Sequence, residues 1–209
     1  MARPSPRDIG HAFEAHALRF LTSLHMSLAH VGGAGDGGVD LRGYWWLPRR
    51  PGVPAPALRR DGNPAVRSIQ PARVLAQCKA ERRVLGPRAV RELEGVMAHL
   101  EHDKHPALAV LLSQSGFTPA AMAHAQRTPK PMLLVHLPGG RVGEVEGEVE
   151  VAGAWWNAPF AAVLAPLGVE IRREVAVRPG GVAAGVGVWY DGRRMERFGP
   201  PLDKSPLDK

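Results

Sequence analysis

Four residues in this chain have types and spacing that suit metal-dependent cleavage of phosphodiester bonds: Glu14, Asp40, Gln77 and Lys79. Asp40 lies in the glycine-rich segment GDGGVDL (35–41), and Gln77 and Lys79 lie in VLAQCKA (74–80). Side chains repeat every two residues along a strand, so Gln77 and Lys79 share a face. A carboxylate and an amide oxygen together hold a divalent cation. Mg2+ commonly takes one or two carboxylates and completes its shell with water and substrate phosphate. A neighbouring lysine stabilises charge building on the attacked phosphate, or holds the attacking water. Glu14 is the second available carboxylate, and Gly10, one helical turn earlier, leaves space beside it. Taken singly, an Asp after a glycine run reads as a turn residue and a Gln-x-Lys at a strand end as solvated. The argument for a site is their order across a helix and two strands.

The elements that must position these residues follow from periodicity. Ile9, Phe13, Ala17, Phe20, Leu21 and Leu24 recur at helical spacing over residues 7–24. MSLAHV (26–31) reads as a strand, GGAGDGG (32–38) as a loop, and VDLRGYWW (39–46) as a second strand. Residues 47–71, rich in Pro and Arg, read as an exposed loop before strand RVLAQCK (73–79). A helix over 88–102 follows, with Pro87 suited to its first turn, then the apolar strand ALAVLLS (107–113). Thr118 and Pro119 open a short helix to Arg127, and MLLVHL (132–137) adds a strand. This alternation predicts an α/β fold with helices on the faces of a central sheet and right-handed crossovers. Beyond Pro138 the pattern weakens. GEVEGEVEV (143–151) reads as an edge strand, WWNAPFAAVLAPL (155–167) as a helix broken near Pro159, and GVGVWY (185–190) as a last strand.

Composition narrows the class. Hydrophobic residues form 44% and charged residues 22% of 209 residues, as in a globular chain rather than a disordered one. The net charge of +7 favours polyanionic partners. The single cysteine, Cys78, excludes an internal disulfide framework and a cysteine-cluster zinc site; it reads as a small buried hydrophobe. No apolar run approaches the ~20 residues that span a bilayer, and the N-terminus has no secretory pattern. Arg49, Arg50, Arg59, Arg60 and Arg67 crowd the long loop, either to contact a nucleic-acid backbone or to keep the loop soluble. His99, His102 and His105 read as a cationic helix end rather than a metal site. Trp45 and Trp46 point to opposite faces, one toward the core and one free to stack on a base.

Gly10-x-x-Phe13-Glu14, GDGGVDL and Gln77-Cys78-Lys79 together resemble the Mrr-like branch of the PD-(D/E)xK restriction-endonuclease superfamily. DLRGYWWLP (40–48), QCK and RELEG (91–95) are similar to a narrower set, the fungal mitochondrial proteins named as required for respiratory growth. The resemblance covers about residues 8–137. It implies a restriction-endonuclease-like core, a mixed central β-sheet flanked by helices. It assigns Asp40 as metal-binding acid, Lys79 as catalytic lysine and Glu14 as the acid of the first helix. Gln77 stands where the superfamily more often has Asp or Glu. Mg2+, with Mn2+ as substitute, is the implied cofactor, nucleic acid (DNA first) the implied partner, and the mitochondrion the implied compartment. A homodimer is compatible with cleaving two strands.

The sequence thus leads to an Mrr-like nuclease domain over 7–137, a C-terminal extension over 138–200 packing on it, and a disordered tail over 201–209. The expected activity is Mg-dependent endonucleolytic cleavage. The rival is a non-catalytic nucleic-acid-binding or maintenance factor that keeps the fold. A third class, an interaction module exposing Trp155, Trp156 and Phe160, requires those rings to be solvent-facing; packing on the sheet is the stronger expectation.

Overall fold

Strand order, rather than the list of elements, decides where polar residues gather. The structure, a computed structural model, describes residues 4–31, 37–48, 69–99, 107–140, 142–143, 149–178 and 181–195. Its main sheet has six strands in the order β1 (Met26–His30), β2 (Leu41–Pro48), β3 (Ile69–Lys79), β4 (Ala107–Ser113), β5 (Met132–His136) and β6 (Gly153–Trp156). β1–β2, β2–β3 and β5–β6 pair antiparallel, whereas β3–β4 and β4–β5 pair parallel. The sheet is therefore flanked by helices, as the alternation predicted, and mixed, as the resemblance implied. A second sheet joins β7 (Val169–Arg178), β8 (Gly181–Tyr190) and β9 (Arg193–Arg194).

The helices cover both faces. α1 (Pro6–Ser23) begins with a capping box in which Ser5 and Asp8 exchange hydrogen bonds, and Pro6 fits the first turn. It buries Phe13, Ala17, Phe20 and Leu21 against Leu41, Trp45, Val74 and Ala76. α4 (Ala158–Leu164) adds Phe160 and Leu164 to the same cluster. On the opposite face α2 (Pro87–His99) and α3 (Pro119–Arg127) enclose Ala109, Leu111 and Leu134. Thr118 caps α3 by accepting from Ala121 N at 3.2 Å, as its position predicted. β4 is buried almost throughout, consistent with its continuous apolar run.

Three expectations need correction. Residues 47–48 and 69–71 are strand rather than loop: Trp46 pairs with Pro71, Leu47 with Gln70 and Pro48 with Ile69. β4 joins β3 only from Arg73, so Pro71 sits where β3 still has an open side and its missing N–H breaks no ladder there. Trp155 and Trp156 form strand β6 rather than a helix start, and Pro159 lies in the first turn of α4 rather than breaking it. Val169–Arg178, not expected as an element, is a strand paired along its length with β8. Of the expected 143–151 strand, residues 143 and 149–151 are not strand and 144–148 lie outside the described residues, as does the expected tail over 201–209. Among the described residues no helix is long and apolar enough to cross a membrane.

Candidate active site at the carboxyl end of β3

Because β1 and β3 both oppose β2, the strands β1, β3, β4 and β5 run in one direction. Their last residues, His30, Lys79, Ser113 and His136, therefore lie toward one end of the sheet, and Asp40, just before β2, joins them. Open α/β sheets bind ligands outside the carboxyl ends of their parallel strands.

Asp40 is fixed by backbone on both sides. Its N–H donates to Ala76 O at 3.0 Å, and its carbonyl accepts from Val31 N at 3.0 Å. Its Oδ2 accepts from Cys78 N at 2.6 Å. The carboxylate thus sits at the point where the β2–β3 ladder ends. Gln77 lies beside it, only 5% exposed, and its Oε1 is buried with no hydrogen-bond partner. Gly38 closes over this amide. Its φ of +83° suits glycine, and a Cβ there would come within 2.9 Å of Gln77 Nε2. The glycine-rich approach to Asp40 is thereby explained at one position by two requirements.

Lys79 extends from the same face as Gln77, toward α2. Its Nζ lies 3.5 Å from Glu92 Oε2, while Glu92 Oε1 accepts from Arg88 Nε at 2.8 Å. The Arg88 hydrogen bond, aided by the Lys79 charge, holds the Glu92 carboxyl below its usual range. On the α1 side Glu14 Oε2 is 3.4 Å from His30 Nδ1. A Cβ on Gly10 would meet only Glu14 Oε1, at 3.9 Å, so the space beside Glu14 is open as predicted.

The Cys78 thiol lies in the field of both acids. Burial, then the charges of Asp40 and Glu14, push its thiol well above its ordinary range. Both carboxylates therefore act on the same sulfur, and the thiol stays protonated as a half-buried neighbour of the core. The four residues surround the end of β3: Glu14 from the α1 face, Gln77 and Lys79 from the α2 face, Asp40 between them. Among the described residues no three His, Cys, Asp or Glu side chains cluster as metal ligands.

Glu92, His30 and Gln114 belong to this region and were not singled out from sequence. Gln114 N donates to Lys79 O at 3.1 Å and its Nε2 donates to Gly139 O, joining β3 to the loop after β5. Only Glu92 carried a local signal, its i,i+4 relation to Arg88. Arg49, Arg50, Arg59, Arg60 and Arg67 lie outside the described residues. Trp45 is fully buried with its ring 6.3 Å from Phe160, and Trp46 lies half-buried, 6.0 Å from Tyr44. Phe160 is fully buried and Trp155 packs edge-on against Phe117, so these rings form no exposed patch.

With this geometry in place, comparison by sequence becomes informative. The family described as Required for respiratory growth protein 7 matches residues 7–159, well over half of the chain. The chain belongs to that family. The match takes in every strand of the main sheet and the whole end of β3. A relative from Schizosaccharomyces pombe, described as an uncharacterized mitochondrial protein, is 27% identical over 130 residues. That alignment covers 61% of this chain and 44% of the relative, so this respiratory-growth family member matches less than half of its relative's length. No solved structure matches the chain.

Proposed function

We propose that this chain is a restriction-endonuclease-like, Mrr-like protein that binds nucleic acid, DNA first, and hydrolyses its phosphodiester bonds with Mg2+. The observation that carries the reading is Gln77 Oε1, a buried oxygen without a partner, on the strand face that carries Lys79 and next to the Asp40 carboxylate that accepts from Cys78 N. Leaving such an atom unsatisfied costs about 1–3 kcal/mol. A cation at that place would supply the missing partner. Asp40 and Gln77 suit Mg2+ in its water-rich mode, with few protein ligands and phosphate completing the shell, and Glu14, on the α1 face, would act on it through a bound water; Mn2+ suits the same oxygens. When bound, the ion would polarise a phosphate oxygen and acidify a bound water.

The chain's own residues do the rest. Asp40 is held in place by the Cys78 N–H, so its carboxylate needs no rearrangement to act. Glu92 keeps the Lys79 ammonium at the same end of the sheet, where it meets charge developing on the scissile phosphate. His30 orients Glu14 across a 3.4 Å contact.

A second reading is a non-catalytic nucleic-acid-binding or maintenance factor. It is favoured by the amide at position 77 and by the absence of a three-ligand acid and histidine cluster among the described residues. Cleavage assays on labelled single-stranded, duplex and branched substrates with and without Mg2+ separate the two. Wild type is expected to cut, and Asp40→Ala and Lys79→Ala to lose at least ~100-fold in rate, an electrostatic contribution of about 2.7 kcal/mol. Equal cutting by all three would sink the site, and binding without cutting would favour the second reading. We assign the work to mitochondria on the strength of the relative's name. Fluorescence microscopy of the tagged full-length protein tests that assignment.

A further inference from the structure

Immediately beyond Lys79 the chain crosses from β3 to α2 through residues 80–86, and this connection is built unlike an ordinary solvent loop. Its backbone is pinned. Ser115 Oγ donates to Arg83 O at 2.6 Å, and Leu85 N donates to Gly116 O at 3.0 Å. Thr118 N donates to Leu85 O at 2.9 Å, and Leu85 is buried. Next to these anchors Arg82, Arg83 and Val84 are exposed, Val84 at 51%. Among the described residues neither the Arg82 nor the Arg83 guanidinium has a hydrogen-bond or ion-pair partner. Arg88, its side chain 89% exposed, stands at the start of α2 beside them, and Glu81 is the only acid within the connection.

Unpaired guanidiniums on a fixed backbone suit one kind of ligand. Arginine presents a planar fork that matches phosphate bidentately. An anchored loop loses little conformational entropy on binding, and free guanidiniums need break no ion pair first. Arg82 is three residues from Lys79, at most about 11 Å of extended chain. That span equals about three 3.4 Å steps along a nucleic-acid strand.

We propose that Arg82 and Arg83 on this anchored connection grip backbone phosphates of the nucleic acid within a few nucleotides of the bond facing Lys79. The proposal rests on the nucleic-acid reading of that site and adds where the substrate lies: across the β3–α2 connection.

The test is a binding titration of the full chain in EDTA, so that no cutting intervenes. Anisotropy of a labelled 20-base-pair DNA duplex is followed from 50 to 200 mM salt. Arg82→Ala/Arg83→Ala is expected to flatten the slope of log affinity against log salt by about 1.8, at ~0.9 per phosphate contact. Affinity in 0.1 M salt should fall about tenfold or more. Arg127→Ala/Arg193→Ala is the control. It removes two exposed charges from the other end of the sheet, where α3 ends and where His25 meets Met195 O. An unchanged slope in the loop variant, or an equal loss in the control, would overturn the proposal. If wild type binds no nucleic acid, this proposal and the functional reading fall together. If the slope flattens as expected but Mg2+ elicits no cutting, the grip stands and only catalysis falls.

Discussion

Gln77 keeps an uncharged oxygen buried where a carboxylate would bind a cation more strongly, and this makes the residue testable in two directions at once. Gln77→Met removes the orphaned atom while keeping the shape. Unfolding stability by urea titration is expected to rise by about 1 kcal/mol, because the cost of the unsatisfied oxygen disappears. Mg2+ affinity by calorimetry is expected to fall. A stability loss instead would mean that the oxygen is satisfied in solution. Cys78 offers a pH test. Its folded thiol is held above its ordinary value of 9.0 by burial and then by Asp40 and Glu14. The unfolded chain therefore releases this proton first. The contribution to stability is complete below the ordinary value and is lost as pH rises through the folded one. Stability should decline above about pH 9, and Asp40→Asn, removing one of the charges, should speed labelling of folded Cys78 by a thiol reagent at that pH. An unchanged labelling rate would show that Asp40 does not act on the sulfur. Asp40, Gln77 and Lys79 were legible because strand alternation and a glycine approach are local patterns. The Glu92 and His30 partners were not, because each pairs across elements with no spacing rule to announce it.

At the scale of elements, Asn157 does most to hold α3, β5 and α4 together. It is 1% exposed, and its Nδ2 donates to Ala125 O, Thr128 O and Lys130 O. Its Oδ1 accepts from Met132 N and from Phe160 N, the latter capping α4. Asn157→Ala should cost about 3 kcal/mol or more, read as a shift in the denaturant midpoint, because it orphans several buried backbone groups together. A cost below 1 kcal/mol would show that water replaces the side chain. The central elements were readable from sequence: β4 from its apolar run, α2 and α3 from their prolines and periodicity. What escaped reading was set by tertiary pairing. Pro48 and Pro71 masked the outer ends of β2 and β3, although one open strand side is enough to admit a proline. The Trp155-Trp156 pair looked helical until β5 supplied a partner for it, through Leu134 and Leu133. Asn157 carried a usable clue, an N-cap residue with proline two positions later, but its other bonds are non-local.

For the whole molecule, the question is whether the segment after α4 is an addition or part of the folding unit. The family match ends at residue 159. Packing draws the boundary elsewhere. Val169, Ile171, Val188 and Met195 are all buried in the cluster that also holds Phe13, Leu41 and Val74. Arg173 Nε donates to Ala154 O of β6 at 3.0 Å, and His25, just past α1, contacts Met195 O at 3.0 Å. Beyond this base the β7–β8 ribbon reaches into solvent, with Val175 73% exposed. Burying an apolar side chain contributes about 1.5–3 kcal/mol, so the four residues contribute roughly 6 kcal/mol or more. A domain's total stability is about 5–15 kcal/mol. A chain ended after Gly168 should therefore lose cooperative unfolding, with near-ultraviolet circular dichroism collapsed and an apolar dye bound. Sharp, unshifted unfolding of that shortened chain would make β7–β9 a separable appendage. The end of β3 would then owe nothing to them, whereas the shared cluster implies that losing them also loosens α1 and, with it, Glu14.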